Sequence, residues 1–391
     1  MPPPASWFVC YALLAASASS HAGALPLSSN PGSRTPTAQA GPRDLSTAGS
    51  APTALALDLS PTSGGDRDGL RPETSALLDA CFDDYNRLLF DRAEAEARQA
   101  MALQPELPLP VVYLQAALTA EIQELATAHA NDAAVRARFD EATRQALKLE
   151  AAWEAARHDG RGQNYLGISL GTQGLVNLYR GHLLAAYHEG RKGAAALHLA
   201  LKRDPSLVDA DLGLGQYLYY CGRLSGLLRF FLVLHGDVPG GIALMEFCGA
   251  SDCRSALLAR LMLADILVEE TADYERALPY VVEAQALYPQ NWSYEKLALE
   301  EAKGLGLDRA EARDLIEAVS AQWDQGWRPP AYVKLDPGPL RLELARWYLA
   351  KGCVADALLQ LRALDQAKGA EANDARRMEA GLESATAAVQ P

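Results

Sequence analysis

DYERALPYVVEAQALYPQN, residues 273–291, is the stretch on which the fold turns. It sets Ala277 and Ala284 seven apart, Pro289 five further on, and an aromatic, Tyr274, three before the first alanine. Read alone, it is either one helix stopped by a proline or one copy of a repeat. The rest of the chain separates the two. FDRAEAEARQAMALQP carries the same spacing in Phe90, Ala93, Ala100 and Pro105, and Gly190, Gly193, Ala200 and Pro205 carry it with glycines. Leu227, Leu234 and Pro239 keep the interval with larger side chains. Upstream, Leu214 and Gly215 lead to Gly222, a turn glycine one short helix away. Near the end, Leu344, Ala345, Gly352 and Ala357 recur, with Gly369 standing where the closing proline would be.

The spacing has a physical reason. In a helical hairpin the first small residue of the second helix faces the first helix, and the next lies two turns later on the same stripe. Alanine or glycine there lets the backbones approach. A proline then ends the unit, because it lacks the N–H and clashes with the preceding turn. The set resembles tetratricopeptide repeats, helical hairpins of about 34 residues that stack into a superhelix. That resemblance implies an all-α, right-handed superhelical solenoid with an elongated central hairpin, its clearest repeats near 74–107, 160–207, 208–241, 258–291 and 338–369.

Two stretches depart from the repeat. From Gln163 to Pro205 the chain is too long for an ordinary hairpin, so two elongated helices turning near Gly181 are expected. Between Gly240 and Ser255 an insert reads as a short helix and a loop. The middle of the chain, about 160–303, resembles a group of exported bacterial repeat proteins. More distantly it resembles the eukaryotic family that includes a mitochondrial outer-membrane protein implicated in inclusion-body clearance. The residues that carry this are Tyr165 to Gly167, Asp204, Pro205, Leu214, Gly215, Gly236, Asp237, Gly240, Gly241, Tyr288, Pro289 and Asn291. The resemblance implies a non-catalytic helical protein.

Composition fits a solenoid outside the nucleic-acid binders. The 391 residues are 49% hydrophobic, with a formal charge of −13, which disfavours a general nucleic-acid or anionic-membrane binder. The charge is polarised: Arg161 to His235 holds eight Lys/Arg against four Asp/Glu, whereas Arg260 to Ser320 holds six against thirteen. At the N-terminus, Trp7 to Ala18 is an apolar run too short to span a bilayer, followed by small residues. Residues 1–24 therefore read as a signal peptide, with cleavage after Ala22 or Ala24, and imply an exported, periplasmic or cell-envelope protein. No Lys or Arg precedes the run, and a disordered tail or a misplaced start codon is the other reading. Residues 25–72, rich in Pro, Ser, Thr, Gly and Ala, cannot bury enough apolar area to offset their ordering entropy and read as a flexible leader. Residues 73–388 form the helical domain, and no transmembrane span is expected in the mature chain.

No catalytic motif emerges. The glycines of GISLGTQG, Gly167, Gly171 and Gly174, follow no strand and precede no Lys-Ser/Thr pair, so close helix packing is the reading favoured over a phosphate cradle. HGDVPGG, His235 to Gly241, reads as a connecting turn more than as an anion loop. His182 and His188 are six apart, about 120° around a helix, and cannot chelate one metal together. No metal, cofactor or catalytic residue is expected, and an enzyme would have to assemble its groups from distant segments.

Binding is the remaining expectation. In this repeat geometry the first helices line the concave face, which would display Asp209, Leu212, Gln216, Tyr219 and Tyr220, then Met262, Ile266, Glu269 and Glu270, and Arg346, to a protein or peptide partner. Tyr219 and Tyr220 equally suit packing on the neighbouring hairpin. The alternative is a small-molecule or lipid module using a cavity between the elongated helices around Tyr165 and Tyr187. Phe230 and Phe231, in the apolar run Leu224 to Leu234, are a candidate patch. Trp327 and Tyr332 are expected to pin the proline-rich connection 326–339 to the surface. Cys248 and Cys253 flank a loop and permit a disulfide in an oxidising compartment, while Cys81, Cys221 and Cys353 are expected in the core.

Overall fold

The computed structural model describes residues 69–223, 236–365 and 370–387. Every regular element among these residues is a helix. Helices α1 (Pro72–Asn86) and α2 (Phe90–Leu103) make the first hairpin, α3 (Leu109–Thr127) and α4 (Ala133–Arg157) the second, and α5 (Arg161–Tyr179) and α6 (Leu183–Arg203) the third. Next, α7 (Asp209–Arg223) packs on α8 (Val238–Gly249). Helix α9 (Ala256–Asp265), prolonged by a π-turn over Ile266–Thr271, pairs with α10 (Tyr274–Leu287). The last pairs are α11 (Trp292–Leu305) with α12 (Ala310–Asp324) and α13 (Gly338–Ala350) with α14 (Val354–Asp365), and α15 (Ala370–Ala387) closes the stack on α14. This is an all-α solenoid of helical hairpins.

The small-residue stripe does what its spacing requires. Ala93 and Ala100 in α2, Ala277 in α10, and Ala345 and Ala357 in the last hairpin are wholly buried, and Ala284 nearly so. Helices α2, α6 and α10 each end two residues before their proline, at Leu103, Arg203 and Leu287. A residue preceding proline is pushed out of the helical region, so the helix stops there. The segment near 208–241 differs. Pro239 lies in the first turn of α8, where a missing N–H costs nothing, and Asp237 caps that turn by accepting from the Gly240 N–H at 3.1 Å. The insert supplies the partner of α7, the two backbones meeting where a Cβ on Gly215 would lie 2.8 Å from the Gly241 carbonyl. Leu227, Leu234, Phe230, Phe231, His235 and Gly369, and residues 1–68, lie outside the described residues.

The long central hairpin turns at Gly181, whose φ of +75° suits glycine. Its helices cross in backbone contact. A Cβ on Gly193 would stand 2.9 Å from the Gly167 carbonyl, and one on Gly174 would stand 3.2 Å from the Gly190 nitrogen. Leu197 nests between two glycines: a Cβ on Gly167 would lie 2.5 Å from its Cγ and one on Gly213 2.6 Å from its Cδ1. Gly167→Ala is therefore expected to destabilise by about 1–3 kcal/mol, because overpacking outweighs the helix propensity that alanine gains. Gly171→Ala, with nothing within 4 Å of its Cβ position, is expected to be neutral or stabilising by up to ~1 kcal/mol. Urea midpoints of the two variants measure the contrast.

One polar network lies inside this part of the stack. Gln115 donates to Thr143 at 3.0 Å, and the Ser169 hydroxyl lies 2.7 Å from Gln115 Oε1 and 2.5 Å from Glu150 Oε1. A hydroxyl has one proton and cannot serve both acceptors. The chain of donors is complete when the Glu150 carboxyl holds its own proton and donates to Ser169, and burial pushes its pKa up to about 7.

Candidate functional site

The first helices of six successive pairs bring one prominent side chain each into a shared neighbourhood. These are Tyr85 on α1, Tyr113 on α3, Tyr179 on α5, Asp209 on α7, Asp265 on α9 and Tyr294 on α11. Their mutual influence fixes their nearness. The Tyr85 hydroxyl is held well above the ordinary phenol value by burial, reinforced by Tyr113, Cys81, Tyr294 and Tyr288. Burial pushes Tyr113 up to about 12 against the opposing pull of Arg254, with Asp79 and Asp209 also in its field. Asp265 acts on both Tyr179 and Tyr294, which burial already raises. All four rings keep part of their surface open. The result is one side of the stack lined by half-buried phenols, with the carboxylates of Asp209 and Asp265 among them.

Long side chains cross this side and tie the first hairpins back to much later ones. Arg254, just before α9, pairs with Asp79 at 2.7 Å and donates to the Ser75 hydroxyl at 2.8 Å. Tyr288 donates to Asp83 at 3.0 Å, and Tyr294 donates to Asn86 Oδ1 at 2.8 Å. Asn291 Nδ2 donates to the Asn86 carbonyl at 2.7 Å. On α3, Glu124 accepts from the Trp292 indole at 3.0 Å and from the Tyr332 hydroxyl. Phe82 joins Leu261, Ala284 and Tyr288 in a small apolar cluster at the same junction. The superhelix is closed upon itself at this level, not left as an open slot.

The residues expected to line a groove divide between α7 and α9. Leu212, Tyr219 and Ile266 are buried in the main core, so they do not line an open face. The cause is that α7 and α9 pack together along this stripe. Tyr219 donates to Glu270 at 2.7 Å, Gln216 donates to the Met262 sulfur at 2.7 Å, and Tyr220 stands edge-on to Tyr219 at 5.3 Å. Glu270 also pairs with Arg223 at 2.9 Å, and Glu269 pairs with Lys296 at 2.6 Å. Asp209 accepts from the Ser255 N–H at 2.8 Å. Arg346 lies apart from all of these, on α13, pairing with Asp374 of α15 at 3.6 Å.

Between Tyr165 and Tyr187 the glycine contacts at Gly167, Gly174 and Gly193 bring α5 and α6 together. Tyr165 is buried against Trp153. The cysteines also divide. Cys81 and Cys221 are buried, whereas Cys353 is only half-buried, because it follows the turn at Gly352 and precedes α14. Cys248 and Cys253 stand with their sulfurs 3.4 Å apart as thiols. His182, His188 and His198 are exposed. Among the described residues no group of three or more His, Cys, Asp or Glu could hold a metal ion. Trp327 packs edge-on to Trp323 at 6.4 Å and Tyr332 reaches Glu124, so both anchor their connection.

Sequence reasoning missed the four tyrosines, Asp265 and Arg254. Their signal was position alone: each tyrosine lies on the first helix of a hairpin. No motif distinguishes them from ordinary core aromatics.

Comparison with known proteins adds little. No protein-family model matches the chain, and no curated protein does. The crystal structure of yeast Tom70 matches at 13% identity over 83% of this chain and 91% of that one, with a TM-score of 0.17. A likeness that low bears on neither function nor partner.

Proposed function

We propose that this chain is a non-enzymatic scaffold that binds an extended segment of a partner protein on its concave side, as an exported component of the bacterial cell envelope. The observation that carries the reading is the convergence of Tyr85, Tyr113, Tyr179 and Tyr294 from four first helices onto one side. Half-buried tyrosines supply rigid contact area at small entropic cost. The carboxylates there, Asp79, Asp83, Glu124, Asp209 and Asp265, outnumber the cations Arg254 and Arg87 and favour a basic segment. The same excess disfavours nucleic acid. Export rests on the apolar run Trp7 to Ala18. Among the described residues no helix is long and apolar enough to cross a membrane.

Fluorescence anisotropy with short extended peptides of graded charge tests the binding. Basic peptides are expected to bind more tightly than acidic ones, with affinity falling as salt rises. Tyr179→Ala, with circular dichroism unchanged, is expected to weaken binding about tenfold, the worth of ~1.4 kcal/mol. Equal binding by the variant, or no binding of any peptide, overturns the reading. Mass spectrometry of the protein recovered from cells tests export, with an N-terminus at Gly23 or Leu25 expected and an intact Met1 opposing it.

The side-chain bridges across the concave side favour a second reading, a compact small-molecule ligand in place of a peptide. Native mass spectrometry distinguishes the two: a co-purifying small mass supports the ligand, and its absence alongside peptide binding supports the scaffold.

A further inference from the structure

The loop between α8 and α9 brings two thiols into contact. Cys248 ends the buried face of α8 with no exposed surface, and its sulfur stands 3.4 Å from that of Cys253, which is half-buried and reachable from solvent. A disulfide needs about 2.05 Å between sulfurs, so one short shift of the loop closes the gap. Residues 250–255 form bends and turns, with no helical ladder to break. The surroundings distinguish the two sulfurs. Either thiol can donate to the other, and the Cys253 thiol and the Ser251 hydroxyl both also reach the Cys248 carbonyl, at 3.7 and 2.7 Å. The contact between the sulfurs lowers the pKa of Cys253 and raises that of Cys248, and Cys253 is the one nearer solvent. Asp209 opposes thiolate formation at both. Elsewhere, burial pushes Cys81 up to about 12 and Cys221 up to about 11, which leaves them inert.

We propose that Cys253 and Cys248 form a reversible thiol–disulfide modification site, in which Cys253 is the attacking thiol and Cys248 the resolving one. The co-reactant is a low-molecular-weight disulfide. The Cys253 thiolate attacks one of its sulfurs, forming a mixed disulfide and expelling one thiolate, which takes up a proton. Cys248 then loses its proton to solvent and attacks the Cys253 sulfur, expelling the second thiolate, which is protonated in turn. In sum, two protein thiols and one small disulfide become one protein disulfide and two small thiols. The two electrons leave the cysteines and reduce the small disulfide.

The site is wired to the closure of the solenoid. Arg254 follows Cys253 directly and carries the pair to Asp79 and the bond to Ser75, while the Ser255 N–H holds Asp209. Oxidation draws the loop toward α8 and with it the base of Arg254. Hydrogen exchange in α1 is therefore expected to change on oxidation.

The full chain, reduced and then equilibrated over a range of glutathione disulfide to glutathione ratios, tests the proposal by alkylation and peptide mass spectrometry. Wild type is expected to lose two alkylatable thiols, at Cys248 and Cys253, and to regain both in excess glutathione. Cys248→Ser is expected to stop at a glutathione adduct on Cys253, and Cys253→Ser to form neither bridge nor adduct at Cys248. Serine is close in size to cysteine, and circular dichroism confirms that each variant is folded. The proposal is overturned if the bridge does not form before Cys353 is modified. It is overturned equally if Cys248→Ser carries no adduct, or if Cys253→Ser reacts at Cys248 as fast as wild type reacts at Cys253.

Discussion

Glu295→Gln and Glu301→Gln are each expected to raise the stability of the protein at pH 8 by roughly 1–3 kcal/mol and to leave it nearly unchanged at pH 4. Both carboxyls lie on α11 with no exposed surface, and none of their four oxygens has a hydrogen-bond partner. The Trp323 indole faces Glu295 and partly offsets the effect of burial on its pKa, though neither group completes a hydrogen bond of good geometry. Burial pushes each carboxyl from its ordinary 4.5 up to about 8, and for Glu301 the negative charges of Glu275 and Asp273 add to the effect. The sign follows from proton counting. Below pH 4.5 both folded and unfolded chains hold the protons and nothing is lost. Between 4.5 and about 8 the unfolded chain releases them while the folded chain retains them, so stability falls as pH rises. Above about 8 both forms are ionised and the loss is complete. Glutamine keeps the shape of the protonated acid and cannot ionise, so the difference between variant and wild type grows across that window. Thermal midpoints at matched ionic strength, compared at each pH, isolate this term from the surface ion pairs that also titrate. A constant difference at every pH would mean that the two carboxyls are already ionised in the folded chain. Glu150, raised to about 7, contributes in the same direction over the lower part of the window.

What could be read from the sequence was whatever depends on contacts within one hairpin. Ala277, Ala284 and Pro289 announce their hairpin because a small residue is the only way for two backbones to approach there, and the proline is the local stop. The pairs α3 with α4 and α11 with α12 gave no such notice. The first buries Ala117, Ala142 and Ala146 among Val111, Leu114, Leu118, Ile122 and Phe139, but its α4 alanines stand four apart, not seven, and no proline closes the helix, while the second keeps Ala312 and Val319 at the right interval but lacks the proline. The candidate site was hidden for a stronger reason. Tyr294 meets Asn86 across 208 positions of sequence, and Arg254 meets Asp79 across 175. Such pairings depend on how tightly the stack winds, which sums small angles over many hairpins and leaves no trace in local spacing. Tyr219 shows how the two readings left open for it divide. Its placement on the first helix of its pair was right, but its ring turns into the α7–α9 contact to reach Glu270, so an aromatic on the inner helix is not by that fact on the inner surface.

Asn291→Ala is expected to cost about 2–4 kcal/mol, because one side chain performs two separable tasks. Its Oδ1 accepts from the Ser293 N–H at 2.9 Å and so caps α11. Its Nδ2 donates to the Asn86 carbonyl at 2.7 Å and so joins the sixth hairpin to the first. Loss of the cap accounts for about 1 kcal/mol, and the Asn86 carbonyl left unpaired in a buried position accounts for about 1–3 kcal/mol more. Asn291→Asp separates the tasks. Aspartate caps as well as asparagine but has no N–H to give, and it sets a negative charge against the Asn86 carbonyl. If the bridge dominates, the aspartate variant is destabilised nearly as much as the alanine variant. Hydrogen exchange then rises at both ends of the lost bond, in α1 as well as in the first turn of α11. If the cap dominates, aspartate behaves like wild type, and exchange in the alanine variant rises in α11 alone. The second outcome would mean that the crossing bonds decorate a stack that holds its curvature by hairpin packing. The first would mean that the closed superhelix, and with it the spacing of the four tyrosines, depends on contacts between its first hairpin and its later ones.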